Sequence, residues 1–134
     1  MLNLDTHIVV KMIQGGITRT ESDLIVTSPL SFSAMVIWEI AKLHQLGRIS
    51  LEIESEAMAK FISRVRIWPI DTSIVLASTR LDFRSDPADE IIAATSVVHG
   101  ISLLTRDDKI LASKIVPLAR VSQWKEFVRH SENP

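Results

Sequence analysis

The chain contains no cysteine, and this absence removes several chemistries at once. Disulfide frameworks, thiolate metal sites and cysteine nucleophiles are all excluded. Tyrosine is absent as well, and only four phenylalanines and three tryptophans occur among 134 residues. A surface that binds single strands by stacking bases on many aromatic side chains is therefore poorly supported. We interpret Trp38, Trp68 and Trp124 as core or interface residues.

Long apolar runs and a surplus of one charge are also missing. No stretch reaches the roughly 18 uninterrupted apolar residues of a membrane span. The N-terminal MLNLDTHIVVKM has no basic region before its apolar segment, so we expect no signal peptide and a cytoplasmic location. The net charge of −1 gives no bulk basic signature of nucleic-acid binding.

Strand-like and helix-like segments alternate along the whole chain. Five apolar runs have strand length: LNL, PLSFS, RIWPI, ISLLT and KIVPLAR. Helical spacing or caps mark the other segments, which are THIVVKMIQ, AMVIWEIAKLHQL, ESEAMAKFISRV, TSIVLASTRL, ADEIIAATSVVH, DDKILAS and QWKEFVRH. The stretch TRTESDLIVTS fits a capped short helix or an irregular turn. The alternation predicts a single α/β domain over residues 1–134, with a parallel sheet between helices.

Acidic residues occur where the predicted strands end. Asp5 follows the first strand, and Asp107 comes just after ISLLT. Ligands of parallel sheets bind beyond the carboxyl ends of the strands, so both acids should face one edge. Asp89 lies in the first turn of its helix, and Glu39 lies in a helix between apolar residues. A glutamate in such surroundings is expected to point at a site rather than at the core.

Each acid also has a purely structural interpretation. Asp5 and Asp86 fit helix N-caps. Asp89 fits a first-turn acid that the helix dipole stabilises, and Asp107 or Asp108 fits a cap of the helix that follows. No single acid decides between the two interpretations, but several acids at one sheet edge favour a site.

Three segments together resemble the PIN-domain ribonucleases, in particular the VapC-type toxins of bacterial toxin–antitoxin pairs. LNLDTH resembles the opening strand and first acid of that family. SAMVIWEIAKLHQLGRI resembles the segment with the second acid, and DPADEIIAATSVVHGISLLTRDDKI resembles the segment with the third and fourth. The order of the segments in so short a chain makes the resemblance specific, and it covers nearly the whole chain.

The resemblance implies a three-layer α/β/α sandwich with a central parallel sheet. It also implies metal-dependent endoribonuclease activity on RNA, with Mg²⁺ or Mn²⁺ as cofactor. Thr6 and Thr105 match small hydroxyl positions beside the first and fourth acids, whereas Asp86 and Asp108 become neighbours of the site. The catalytic, metal-binding acids of the family fall on Asp5, Glu39, Asp89 and Asp107.

Two positions depart from the family pattern. Many relatives carry arginine directly after the third acid, where this chain has Glu90. Many carry serine or threonine three residues before the second acid, where this chain has Val36. The first departure changes the charge beside the site and the second removes a hydroxyl, but neither removes a metal-binding acid.

The resemblance further implies an RNA substrate and a cognate antitoxin as partners. Matching four acids with metal would change the net charge from −1 to +3. His7, next to the first acid, is a further candidate for contact with substrate. Basic residues near the site are candidates to hold the RNA backbone, and the set considered is Lys11, Lys42, Arg48, Arg80, Arg84, Arg106 and Lys109.

Three helices carry more apolar residues than a small monomer needs to bury. They contain the stretches IVVKMI, MVIWEI and AMAKFI. The surplus predicts a homodimer, built from the first helix and the helix with Trp38, or an antitoxin interface.

Two other functions stay open at this point. A receiver-like signalling module would use Asp71, after RIWPI, as phosphoacceptor, but it would need paired acids where Asp5 is followed by Thr6 and His7. A non-catalytic PIN-like interaction module would keep the fold without the chemistry, and the intact set of four acids argues against it. Metal-dependent cleavage of single-stranded RNA separates the three functions.

Overall fold

A four-stranded parallel sheet lies at the centre of the computed structural model, which describes residues 1–120. The sheet has the order β3-β2-β1-β4, and every neighbouring pair is parallel. Its strands are β1 (Leu2–Leu4), β2 (Leu30–Ser33), β3 (Arg66–Trp68) and β4 (Ser102–Leu104). This result confirms the α/β fold with a central parallel sheet.

Helices connect and cover these strands. Helix α6 packs against α3 and α5 and also contacts β2 and β4, so it lies across the strand between them, β1. The segment TRTESDLIVTS forms a helix whose start is a capping box of Thr18 and Glu21. The helices of the described part are α1 (Thr6–Gln14), α2 (Arg19–Val26), α3 (Ala34–Gln45), α4 (Glu56–Ile62), α5 (Thr72–Ser78), α6 (Pro87–His99) and α7 (Asp108–Leu111).

The predicted last strand, KIVPLAR, is wrong as a regular strand. It is reduced to one parallel bridge between Leu103 and Leu118. Leu103 donates to the carbonyl of Pro117 and accepts from Ala119, both at 2.9 Å. Proline has no N–H to extend the ladder, which explains why the pairing stops there. The predicted helix QWKEFVRH and Trp124 lie outside the described residues.

Helix caps follow the sequence signals, with one difference. Asp71 accepts from the Ile74 amide at 3.0 Å, and Gly100 ends α6 in the left-handed conformation with φ of 63°. Asp86 occupies the N-cap position of α6 before Pro87, as expected, but its side chain accepts no hydrogen bond from the helix. Asp86 is exposed, and its carboxylate does not cap the helix.

A buried asparagine fixes the face of β1. Asn3 is fully buried, and its side-chain amide donates to Ser96 Oγ at 2.9 Å and to the Ile92 carbonyl at 3.3 Å, both on α6. Side chains alternate along a strand, so Asn3 and Asp5 project to the same side. The Asn3 hydrogen bonds identify that side as the one that α6 covers.

Candidate metal centre

The predicted site lies where the order of the strands reverses. The chain places β2 and β3 on one side of β1 and returns to add β4 on the other side. Ligands of open α/β sheets bind at such a switch point, beyond the carboxyl ends of the strands. Asp5 follows β1 and Asp107 follows β4, so the two acids meet at this point.

Asp5 is held by hydrogen bonds to both of its carboxylate oxygens. Its Oδ1 accepts from the Thr6 amide at 2.8 Å, and its Oδ2 accepts from the Thr105 hydroxyl at 2.5 Å. The residue is 3% exposed. Burial raises the pKa of Asp5, the two hydrogen bonds oppose the shift, and the charge of Asp107 adds to it. Asp5 is thus both the N-cap residue of α1 and a buried, oriented carboxylate.

Asp89 stands in the first turn of α6. Ser85 donates a hydrogen bond to its Oδ2 at 3.0 Å. Burial raises the pKa of Asp89 to about 6, and the charges of Asp5, Glu39 and Asp107 contribute further to the rise. Asp89 therefore lies close enough to the other acids for their charges to act on it, and it is not simply an acid favoured by the helix dipole.

Glu39 is half-buried on α3. Burial raises its pKa, and the charges of Asp5 and Asp86 add to the rise. The nearby Thr6 hydroxyl lowers that pKa, although no hydrogen bond of standard geometry joins the two groups. Thr6 Oγ1 is buried and without a hydrogen-bond partner among the described residues, so it can still pair with a water or ligand.

Asp107 combines the two interpretations that its sequence position allowed. Its Oδ1 accepts from the amides of Lys109 and Ile110 at 2.9 and 3.2 Å and so caps α7. Its own amide donates to Thr105 Oγ1 at 3.0 Å. The cap fixes the side chain beside Asp5, whose pKa its charge raises.

The structure therefore brings the four predicted acids into one neighbourhood, where their charges act on one another. Within residues 1–120, no three histidine, aspartate or glutamate side chains come close enough to enclose a metal ion by themselves. Mg²⁺ requires only one or two carboxylates and keeps several waters. An all-oxygen donor set fits such an ion, since burial raises the pKa of Asp5, Glu39 and Asp89 and the buried Thr6 hydroxyl has no partner among the described residues. The role of the acids as ligands stays a prediction.

One structural contact near the acids was not predicted from the sequence. Arg106, considered above as a candidate for holding RNA, is instead paired with Glu21: its Nε and Nη2 donate to Oε2 and Oε1 at 2.7 and 2.6 Å. Nη2 also donates to the Gly16 carbonyl at 2.8 Å. The hydrogen bonds from Arg106 lower the pKa of Glu21 to about 2. The pair anchors the segment between Thr105 and Asp107 to α2, and the capping box at α2 was its only sequence signal.

The tryptophans divide into two classes. Trp68 is buried, and its ring stacks on His99 with centroids 3.9 Å apart, while the Arg66 guanidinium lies 4.1 Å from the Trp68 ring centroid. Trp38 is 55% exposed on α3, so it is not a core residue. Its role in an interface stays a prediction.

A comparison with known protein families agrees with this geometry. The family model for the PIN domain matches residues 3–114, a range that includes all four acids. The chain belongs to the PIN-domain family. This PIN-domain chain is 33% identical over 87 residues to Ribonuclease VapC22 of Mycobacterium tuberculosis. The matched stretch covers 60% of this chain and 65% of the relative, which is less than two thirds of the relative's own length.

Solved PIN-like structures confirm the three-layer fold. A toxin–antitoxin complex from Klebsiella pneumoniae matches with a TM-score of 0.69 and 21% identity, over 90% of this chain and 98% of that one. VapBC2 from Rickettsia felis, bound to a DNA fragment from its promoter, matches with a TM-score of 0.70 and 16% identity, over 89% and 98% of the two chains. At these identities the similarity shows the fold. Across residues 1–120, none of the helices has the length and apolar character needed to cross a bilayer.

Proposed function

We propose that this PIN-domain chain is a divalent-metal-dependent endoribonuclease and the toxin of a toxin–antitoxin pair. The observation that carries the proposal is the meeting of Asp5, Glu39, Asp89 and Asp107 at the switch point of the sheet, where each of the first three has a raised pKa. Helix capping does not explain why acids from four separate segments lie close enough to repel one another. A cation-binding site does explain it, because a bound cation would offset that repulsion.

Each acid has a distinct part in this proposal. Asp5 and Asp89 would hold a central Mg²⁺ or Mn²⁺ ion, and Glu39 and Asp107 would bind it directly or through water. Such an ion would supply an activated water and stabilisation of the charge on the phosphate and the leaving oxygen.

The hydroxyl groups position the acids. Thr105 donates to Asp5 and accepts from the Asp107 amide, so one side chain orients the first acid relative to the fourth. The Thr6 amide donates a hydrogen bond to Asp5, and the buried Thr6 hydroxyl lies near Glu39. Ser85 plays the same orienting part for Asp89.

The relatives support the biological part of the proposal. One is a ribonuclease by name, and the structural neighbours include toxin–antitoxin complexes. We therefore infer an RNA substrate, a cognate antitoxin and a cytoplasmic location for this chain. A homodimer is part of the same proposal, since Trp38 presents a large exposed apolar side chain.

Cleavage by the purified chain tests the proposal. A single-stranded RNA is incubated with the chain and Mg²⁺ or Mn²⁺, in parallel with EDTA and with the Asp5→Asn variant. We expect cuts that need both the metal and Asp5. Binding of RNA without any cleavage, in either metal, would favour the non-catalytic interaction module instead.

A further inference from the structure

A polar cavity lies next to the acid site. It has a volume of about 460 Å³ and lies between the end of α5 and the start of α6. This volume is in the range of pockets that take a ligand of nucleotide size. The residues that matter in its wall are Ser78, Thr79, Phe83, Arg84, Ser85 and Glu90.

Ser85 joins this cavity to the acid site. It lines the cavity, and it donates the hydrogen bond of 3.0 Å to Asp89. Glu90, which also lines the cavity, is the next residue after Asp89. An RNA chain bound across the acid site would therefore place a neighbouring nucleotide at the cavity.

The wall of the cavity is rich in hydrogen-bond acceptors. Ser78 and Thr79 already donate their hydroxyl protons to main-chain carbonyls of α5, at 2.6 and 2.7 Å, and Ser85 donates its own to Asp89. With these protons engaged, the hydroxyl oxygens can offer a ligand only their acceptor lone pairs. Glu90 adds a carboxylate, and among residues 1–120 no lysine or arginine forms an ion pair with it.

Guanine is the base whose chemistry fits this wall. Its Watson–Crick edge presents two adjacent donors, N1–H and the N2 amino group, which one carboxylate can accept together. Adenine and cytosine present a single amino group there, and the one donor of uracil lies between two carbonyls. Bases of single-stranded RNA are read on this edge.

We propose that the cavity binds a guanine nucleotide of the RNA substrate, with Glu90 accepting from the Watson–Crick edge of the base. Arg84 holds a phosphate, because its exposed guanidinium lines the cavity and pairs with no carboxylate among residues 1–120. Phe83 supplies an apolar wall against the base. The inference rests on the proposed nuclease function.

Two measurements test this subsite. In the first, a pool of RNA with random sequence is cleaved and the bases around each cut are counted. The wild type is compared with Glu90→Gln and with a matched control, Glu54→Gln, whose glutamate lines a different cavity. We expect the wild type and the control to favour guanine at one position by at least about fivefold, since a bidentate contact discriminates to that extent. Glu90→Gln should lose most of that preference while still cleaving the pool.

The second measurement reads binding without cleavage. The ¹⁵N-labelled chain is titrated with GMP and, separately, with UMP, and the amide shifts of Thr79, Ser85 and Glu90 are followed. We expect GMP to shift these amides at lower concentration than UMP, and Glu90→Gln to remove the difference.

The outcomes are distinguishable. If the chain cuts no RNA but GMP shifts these amides selectively, the nuclease proposal fails and the guanine site stands as a site for free nucleotide. If RNA is cut with no guanine preference, or if Glu90→Gln keeps the wild-type preference, the subsite is overturned while the nuclease function stands. Equal shifts with GMP and UMP also overturn it.

Discussion

Thr105 donates a hydrogen bond of 2.5 Å to Asp5, which lies 100 residues earlier in the chain. The same hydroxyl oxygen accepts from the amide of Asp107 at 3.0 Å. One small side chain thereby sets the orientation of the first acid relative to the fourth.

Replacing Thr105 by valine keeps the shape of the side chain and removes this link. We expect Thr105→Val to reduce RNA cleavage by roughly 10–100-fold, the usual effect of losing a group that orients a metal ligand. Thr105→Ser retains a hydroxyl and should retain most of the activity. Initial rates at limiting and saturating Mg²⁺ measure the effect. Equal activity of the two variants would show that the contact has no part in catalysis.

The assignment of the acids predicts a contrast between neighbours. Asp5→Asn and Asp89→Asn each remove one ligand charge, so we expect cleavage to fall at least ~100-fold, about 2.7 kcal/mol. Asp86→Asn and Asp108→Asn should stay within about threefold, or under roughly 0.7 kcal/mol. All four variants are compared on one RNA.

This contrast also tests the register of the third acid. If Asp86→Asn is inactive and Asp89→Asn cleaves normally, the assignment in DPADE is wrong by three residues. The exposed Asp86 carboxylate, which caps nothing and raises the pKa of Glu39, makes that outcome a meaningful alternative.

Burial of Asp89, reinforced by the charges of the neighbouring acids, predicts that the metal-free chain gains stability in mild acid. The folded-state pKa of Asp89 is about 6, against an ordinary value of 3.8. The folded chain therefore binds the extra proton first, and its contribution to stability rises as the pH falls from about 7 to about 4. Asp89→Asn should raise the free energy of unfolding at pH 7 by about 1–2 kcal/mol, after allowance for solvent screening. Denaturant unfolding of both chains in the presence of EDTA, at pH 7 and at pH 5, measures both effects. The explanation is contradicted if the stability difference between wild type and Asp89→Asn does not shrink from pH 7 to pH 5.

Glu21 predicts the opposite behaviour in a lower pH range. Arg106 lowers its pKa from 4.5 to about 2, so the stabilisation is fully present above pH 4.5 and is lost as the pH falls toward 2. Glu21→Gln should lower the free energy of unfolding at pH 7 by about 1–2 kcal/mol, since Arg106 is partly exposed. The matched control is Glu56→Gln, which breaks an exposed ion pair with Lys60 and should have no measurable effect. Equal stability of the two variants would remove the anchoring role of the pair.

The predicted homodimer can now be tested by residue. Ile8, Val9 and Val10 of α1 are buried in the core, so the apolar surplus expected on that helix is largely used within the chain. Trp38 is 55% exposed, and Leu76 on α5 is 48% exposed. We expect Trp38→Glu to convert a dimer to a monomer and Leu76→Glu to leave it intact, as measured by light scattering at micromolar concentration. A monomeric wild type contradicts the dimer, and dissociation by Leu76→Glu alone would place the interface on α5.

Local patterns were enough to predict the sheet and most helices. Asp71, Pro87 and Gly100 lie at helix ends because capping and backbone geometry depend on near neighbours in the sequence. The prediction failed at KIVPLAR, where an apolar run of strand length contains a proline that interrupts the ladder. Helices α4 and α5 also end earlier than their apolar spacing indicated, at Ile62 and Ser78.

The contacts around the acids depend on distant residues, which the sequence does not pair. The strand-end positions of Asp5 and Asp107 follow from the topology alone. The partner of Arg106 does not, because Glu21 lies 85 residues away and its capping role already explains its presence. The stacking of His99 on Trp68 was missed for the same reason: a helix end and an edge strand meet only in the folded chain.

The two hydrogen bonds of Asn3 to α6 couple the formation of the acid site to the correct register of β1 in the sheet. A slip of β1 by one residue would turn both Asn3 and Asp5 to the opposite face. It would leave the buried Asn3 amide unpaired, at about 1–3 kcal/mol, in the same step that removes the first carboxylate from the others. Copies of the chain with a mispaired sheet are therefore expected to be unstable and to lack the assembled acid site.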